Sequence, residues 1–270
     1  MITEMDGFRS RLHSWGKSLG NASFDSDKDS MRNTYKGKRN DDSFMENETF
    51  SQHASLEDED KLPEVELLGY SAKTKNKLLT KEMCEELRQL MPTRIQLYTE
   101  WTLLYSLEQH GASLHSLYDN IKYDTNTNAR VGYILVIRDK KGGIFGGYAN
   151  EPFHPTDSRR YYGNGECFLW KLEKVPDLQL HGNEKVEASG NKLHNWQLRG
   201  FPYTGINEFS IYCTSKFLSM GAGDGHYGLW IDDGLFKGVT SPSLTFGNDV
   251  LSREGSKFHI IGLEVWRVGR

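Results

Sequence analysis

Apolar positions along this chain recur with two periods, helical up to Ile121 and strand-like beyond it. Met83, Leu87 and Leu90 keep one apolar face at three- and four-residue spacing. Thr80 is placed to cap the first turn, Glu82 suits its positive end, and Pro92 stops the run. The spacing predicts one short, core-facing helix. Leu114, Leu117 and Ile121 share a stripe and predict a second helix from Ser113. Downstream, Val131, Tyr133, Leu135 and Ile137 alternate with Gly132, Ile134 and Val136. A turn follows at Lys140 to Gly143, and Ile144, Phe145 and Tyr148 lead the chain back. This pattern predicts a β-hairpin with both faces largely apolar.

Further strands are expected over 167–175, 209–214, 217–221, 227–231, 235–239 and 258–268. Asp233-Gly234 separates two of them and supplies the tolerance of positive φ that a tight hairpin turn demands. Pro176 to Gly200 is polar and reads as a long surface loop. Many short strands, Gly-rich turns and few helices place the fold in the α+β class, mainly β. The architecture expected is an antiparallel two-sheet β-sandwich with short flanking helices.

Charge divides the chain at about residue 62. Residues 1–62 hold 9 Lys/Arg against 13 Asp/Glu, which accounts for the whole net charge of -4. From 20 to 62 few apolar residues offset the entropy of ordering, so 1–62 reads as a mostly disordered tail and 63–270 as the folded domain. Within the tail, Phe8, Leu12, Trp15 and Leu19 alternate with Arg9, Arg11, His13 and Lys17. They predict an amphipathic, basic helix over 5–19 that makes a peripheral membrane contact, docks on a protein, or stays nascent in a disordered arm. A mitochondrial presequence is a further reading, against which Glu4 and Asp6 count. The charge-balanced remainder lacks the basic footprint of a nucleic-acid binder, and no apolar run approaches the roughly 20 residues of a spanning helix. Three cysteines, Cys84, Cys167 and Cys213, form no C-x-x-C pair and favour a reducing compartment over a disulfide framework.

Ordered motifs run through the presumed domain: Leu90-Met91-Pro92, Trp101 to Ser106, Gly146-Gly147-Tyr148 and Gly163 to Trp170. Gly205 to Phe209, Met220 to Gly223, Gly228-Leu229-Trp230, Thr245 to Asn248 and Leu263 to Trp266 follow. Over roughly 63–269 the chain resembles the TLDc-domain family, and within it most closely the fungal oxidation resistance proteins. The resemblance implies a β-sandwich with small helices and a part in protection against oxidative stress. It also implies association with the vacuolar-type proton ATPase, whose peripheral and membrane sectors fungal members hold apart or separate. It supplies no catalytic residue. The expected location is therefore cytoplasmic with recruitment to the vacuolar membrane, and mitochondrial is the alternative.

No catalytic, cofactor-binding or metal site is assigned. Gly223-Asp224-Gly225-His226-Tyr227-Gly228 satisfies G-x-G-x-x-G, but a dinucleotide fingerprint needs a helix after the turn, and Leu229-Trp230-Ile231 reads as a strand. Cys167 and Cys213 sit in apolar strand contexts that favour core packing over a reactive thiolate. Glu151, His154 and Asp157 match no metal-ligand spacing, and Asp224, Asp232 and Asp233 suit turns. Eight strand aromatics, Tyr133, Phe145, Tyr148, Phe168, Trp170, Phe209, Tyr212 and Phe246, should mostly fill the sandwich. Exposed exceptions would mark a partner surface. The functions to separate are a non-catalytic pump-binding protein, a thiol- or metal-dependent antioxidant enzyme, and a membrane-recruited adaptor acting through 5–19.

Overall fold

The computed structural model describes residues 62–122, 131–156, 160–174 and 196–269. The helix expected over 5–19 lies outside them. Helix α1, Lys81–Leu90, starts where Thr80 Oγ1 accepts the Met83 N–H at 3.3 Å. A single turn, α2, follows over Thr93–Gln96, and α3 spans Leu107–His110. Helix α4, Leu114–Ile121, is capped by Ser113 Oγ, which accepts from Ser116 N at 3.3 Å.

Eleven strands are described: β1 Glu66–Leu68, β2 Glu100–Ser106, β3 Gly132–Asp139, β4 Ile144–Ala149, β5 Phe168–Lys174 and β6 Trp196–Pro202, then β7 Ile211–Cys213, β8 Phe217–Gly223, β9 His226–Asp232, β10 Lys237–Val239 and β11 Lys257–Val268. One sheet runs β1-β2-β11-β3-β4-β5-β6 and the other β11-β10-β9-β8-β7. β11 belongs to both: Lys257 to His259 pair with β10, and Glu264 to Val268 lie between β2 and β3. Apart from the parallel β1–β2 pair, the pairings among described strands are antiparallel.

Two apolar cores explain the two-faced hairpin. Tyr133, Leu135 and Ile137 of β3 meet Leu218, Met220, Leu229 and Ile231 of the second sheet inside the sandwich. The intervening Ile134 and Val136 join Trp101, Trp170 and Trp266 beneath Met83, Cys84 and Leu87 of α1. A strand covered on both sides needs apolar residues at every position, which removes the polar alternation of a half-exposed strand. The described domain is thus layered as sheet, sheet and helix α1, while α4 adds Leu114, Leu117, Tyr118 and Ile121 to the core between the sheets.

Two expectations need correction, and one motif gains an element. Trp196–Gly200, read as the end of a surface loop, belongs to β6. There Trp196 and Leu198 are half-buried while Gln197 and Arg199 face solvent. That is a period-two edge strand whose charged face masked it. Between β9 and β10, the positive φ falls on Leu235 (55°) rather than on Gly234. Its side chain is fully buried and Asp232 Oδ1 accepts from Phe236 N at 2.9 Å and Lys237 N at 3.1 Å, so packing and turn bonds hold the backbone there. The Trp101 to Ser106 motif, assigned to no element, forms most of β2.

Candidate protein-binding surface

The Gly-rich motif is the tip of the β8–β9 hairpin. Gly223 pairs with His226, and the two residues between them, Asp224 and Gly225, have φ of 51° and 79°. Positive φ at both central positions is the type I′ geometry that follows the strand twist, which is why Asp-Gly stands there. The chain leaves as strand β9, so no helix end faces the glycines.

The other motif residues also have structural partners. Cys84, Cys167 and Cys213 are buried and free. Burial is the main cause that lifts the Cys167 and Cys213 thiols to about 11, and it raises Cys84 as well. Tyr162 Oη donates to Cys213 Sγ at 3.3 Å, and Cys167 Sγ donates to Asn150 Oδ1 at 3.1 Å. The His154 ring sits 2.8 Å from the Pro152 carbonyl and packs on Tyr162, while Asp157 lies outside the described residues. Asp232 braces its turn, and Asp233 pairs with Lys216 at 3.3 Å. Glu166 is joined to Arg94 by a two-pronged ion pair.

Of the eight aromatics singled out, Tyr133, Phe145, Tyr148, Phe168, Trp170 and Phe246 are buried, and Phe209 and Tyr212 are not; Phe209 and Phe246 stand outside the strands. In β7 the fully buried Ile211 and Cys213 point inward, so Tyr212 between them faces out. Ring centroids connect Phe209 to Tyr161 (4.6 Å), Tyr161 to Tyr212 (5.2 Å), Tyr212 to Phe217 (5.4 Å) and Phe217 to Trp230 (6.0 Å). These rings form an aromatic stripe across the outer face of the second sheet. The half-buried Tyr161, Phe217 and Trp230 were not among the aromatics singled out from sequence, because a partly covered ring has the same local pattern as a core ring.

A buried hydroxyl shapes one end of this face. Thr245 Oγ1 accepts from Ala222 N at 3.0 Å and lies 2.7 Å from Asn207 Oδ1, tying the 204–209 loop to the end of β8. Thr204 Oγ1 donates to the Leu244 carbonyl at 2.6 Å across the same junction. The loops so fixed leave Ile206 64%, Phe209 41% and Leu244 42% exposed. An unattached apolar tip would fold back onto the protein, whereas these are held outward by backbone that the Thr245 network fixes.

A second site was not legible in the sequence. Glu264, 1% exposed, accepts from Tyr70 Oη at 2.9 and 3.0 Å, Leu78 N at 3.0 Å and Trp266 Nε1 at 2.9 Å. Burial raises its carboxyl above the usual range, and the hydrogen bonds oppose that rise. A shallow cleft of about 290 Å³ opens beside it. Both of its oxygens are already engaged by groups of the fold, so the carboxylate acts as a staple for the Tyr70 to Leu78 segment.

The sandwich with its helix layer is that of a domain that presents an apolar sheet face, and the model of the TLDc domain matches residues 72–269. The chain belongs to the TLDc-domain family. Among named relatives, oxidation resistance protein 1 of Kluyveromyces lactis is 73% identical over 265 residues, 98% of this chain and 100% of its own length. Its counterpart in Saccharomyces cerevisiae is 62% identical over 230 residues, covering 83% of this chain and 84% of that protein. That of Yarrowia lipolytica is 45% identical over 208 residues, 77% and 81% of the two chains. No helix of the described residues is long and apolar enough to cross a membrane.

Proposed function

We propose that this chain is a non-catalytic binding protein that contributes to oxidative-stress resistance by docking on the peripheral sector of the vacuolar-type proton ATPase. In this reading it works from the cytoplasm at the vacuolar membrane and promotes separation of the pump's sectors. The stress role is supported by the names of the fungal relatives, and the pump by the resemblance to fungal TLDc proteins. The observation that carries the binding mode is the aromatic stripe continued by Ile206, Phe209 and Leu244. Exposed apolar groups on loops braced by the Thr245 network, beside a stripe of partly exposed rings, suit a protein interface. A thiol enzyme would need an accessible thiolate, and burial opposes that at all three cysteines.

The test is co-migration of the purified full chain with isolated peripheral sector in the presence of a chelator. Binding without added nucleotide or metal is expected. Failure to bind at micromolar concentrations of both components would refute the pump assignment.

A further inference from the structure

The geometry points to a binding site for an arginine side chain of a partner protein at the tip of the β8–β9 hairpin. This rests on the reading of that face as the partner surface and adds the chemistry of one contact. A cleft of about 230 Å³ opens there between Tyr161, Phe209 and Tyr227, with Asp224 and His226 on its wall. The Tyr161 and Phe209 rings are inclined by 31° with centroids 4.6 Å apart, so they stack on one another as an aromatic pair beside the Tyr227 ring. Asp224 is exposed at the hairpin turn with a left-handed backbone, and it lines the same cleft as the rings.

The groups on this wall want a cation. Aromatic faces carry negative potential, and a nearby carboxylate adds a full charge. The phenol of Tyr161 is raised by burial first and then by the phenols of Tyr227, which lines the cleft, and of Tyr212 beside it, which places both hydroxyls within electrostatic reach of Tyr161. Among the described residues these three hydroxyls and the Asp224 carboxylate have no hydrogen-bond or ion-pair partner. No lysine or arginine lines the cleft. A carboxylate and phenol oxygens beside an aromatic ring suit guanidinium, which stacks on a ring while its five N–H groups fan out in its plane. An ammonium would serve the rings but concentrate its three donors at one point, and a closed cage for a methylated amine is absent from this open cleft.

The test uses the full-length, isotope-labelled chain and amide magnetic resonance. A capped Gly-Arg-Gly peptide is titrated beside the same peptide carrying lysine and beside one carrying citrulline, which keeps the shape and removes the charge. The arginine peptide should shift the Gly223, Gly225 and Tyr227 amides saturably, and citrulline should bind at least about fivefold more weakly. Tyr227→Ala and Asp224→Asn should each weaken the arginine peptide severalfold. Asn tolerates the positive φ of the turn, so Asp224→Asn removes charge without disturbing the hairpin. Equal binding of citrulline, equal binding of a lysine peptide, or no shift at these amides would overturn the arginine site. Arginine binding by a chain that ignores the pump sector would refute the proposed partner and leave this site standing. Pump binding without any arginine binding would do the reverse.

Discussion

Replacing Glu264 by leucine should reveal how much of the domain hangs on one buried carboxylate. The substitution nearly preserves volume but removes the acceptor for Tyr70 Oη, Leu78 N and Trp266 Nε1. Tyr70 is only half-buried and can turn to water, whereas the indole and the Leu78 amide are enclosed. Two enclosed donors left unpaired cost about 1–3 kcal/mol each, and relief from burying a carboxylate returns part of it, so a net loss of about 2–4 kcal/mol is expected. Urea unfolding followed by tryptophan fluorescence measures this directly, and hydrogen exchange should show early opening of residues 70–78. The pH dependence has a definite sign. The folded carboxyl is raised above its ordinary 4.5, so the native state holds the proton more tightly. Its stabilising contribution is full below pH 4.5 and declines as pH rises through the folded value. The advantage of wild type over Glu264→Gln should therefore shrink from pH 4 to pH 7. A loss below about 1 kcal/mol for Glu264→Leu would refute the staple.

A folded triple Cys84→Ala, Cys167→Ala, Cys213→Ala variant should keep whatever stress protection the parent gives, at reduced stability measured by urea. Lost protection with partner binding intact would favour thiol chemistry. Glu254, held down to about 2 by hydrogen bonds from the His259 ring and backbone, contributes stability above pH 4.5 that is lost as pH falls toward 2. Glu254→Gln should flatten that acid limb of the unfolding midpoint, and an unchanged limb would contradict the assignment. Limited proteolysis should leave a fragment beginning between about Leu56 and Leu67. Protection reaching back to Phe8 would show that the N-terminal stretch belongs to the domain.

Much of the fold could be read from local pattern. Thr80 caps the helix it was expected to cap, the second helix follows Ser113 as expected, and β3, β4, β5, β8, β9 and β11 fall where apolar runs are bounded by turns. What local pattern hides is depth. Ile134 and Val136 announce a covered second face but not that α1 covers it, because the partner lies some fifty residues upstream. Trp196–Pro202 was missed because an edge strand spends its outward positions on polar residues. The candidate surface was legible only as a question. Phe209 and Tyr212 have the same neighbours in sequence as buried rings, and their exposure is decided by β7 lying at the sheet edge and by Thr245, distant in the chain. Glu264 was hidden by its position in an apolar motif, where only the Tyr70 and Leu78 contacts explain a charge.

The outer face of the second sheet is tested most directly by one binding comparison. Full-length chain carrying Ile206→Ser, Phe209→Ser and Leu244→Ser together is compared with wild type for co-migration with the peripheral sector of the proton ATPase. Leu97→Ser, at a residue 66% exposed at the end of α2, serves as the control. Truncating three exposed apolar contacts of the proposed interface should weaken binding by at least about tenfold, while the fold, checked by its unfolding midpoint, persists. The control should bind like wild type. Undiminished binding of the triple variant would contradict the assignment of this face as the partner surface.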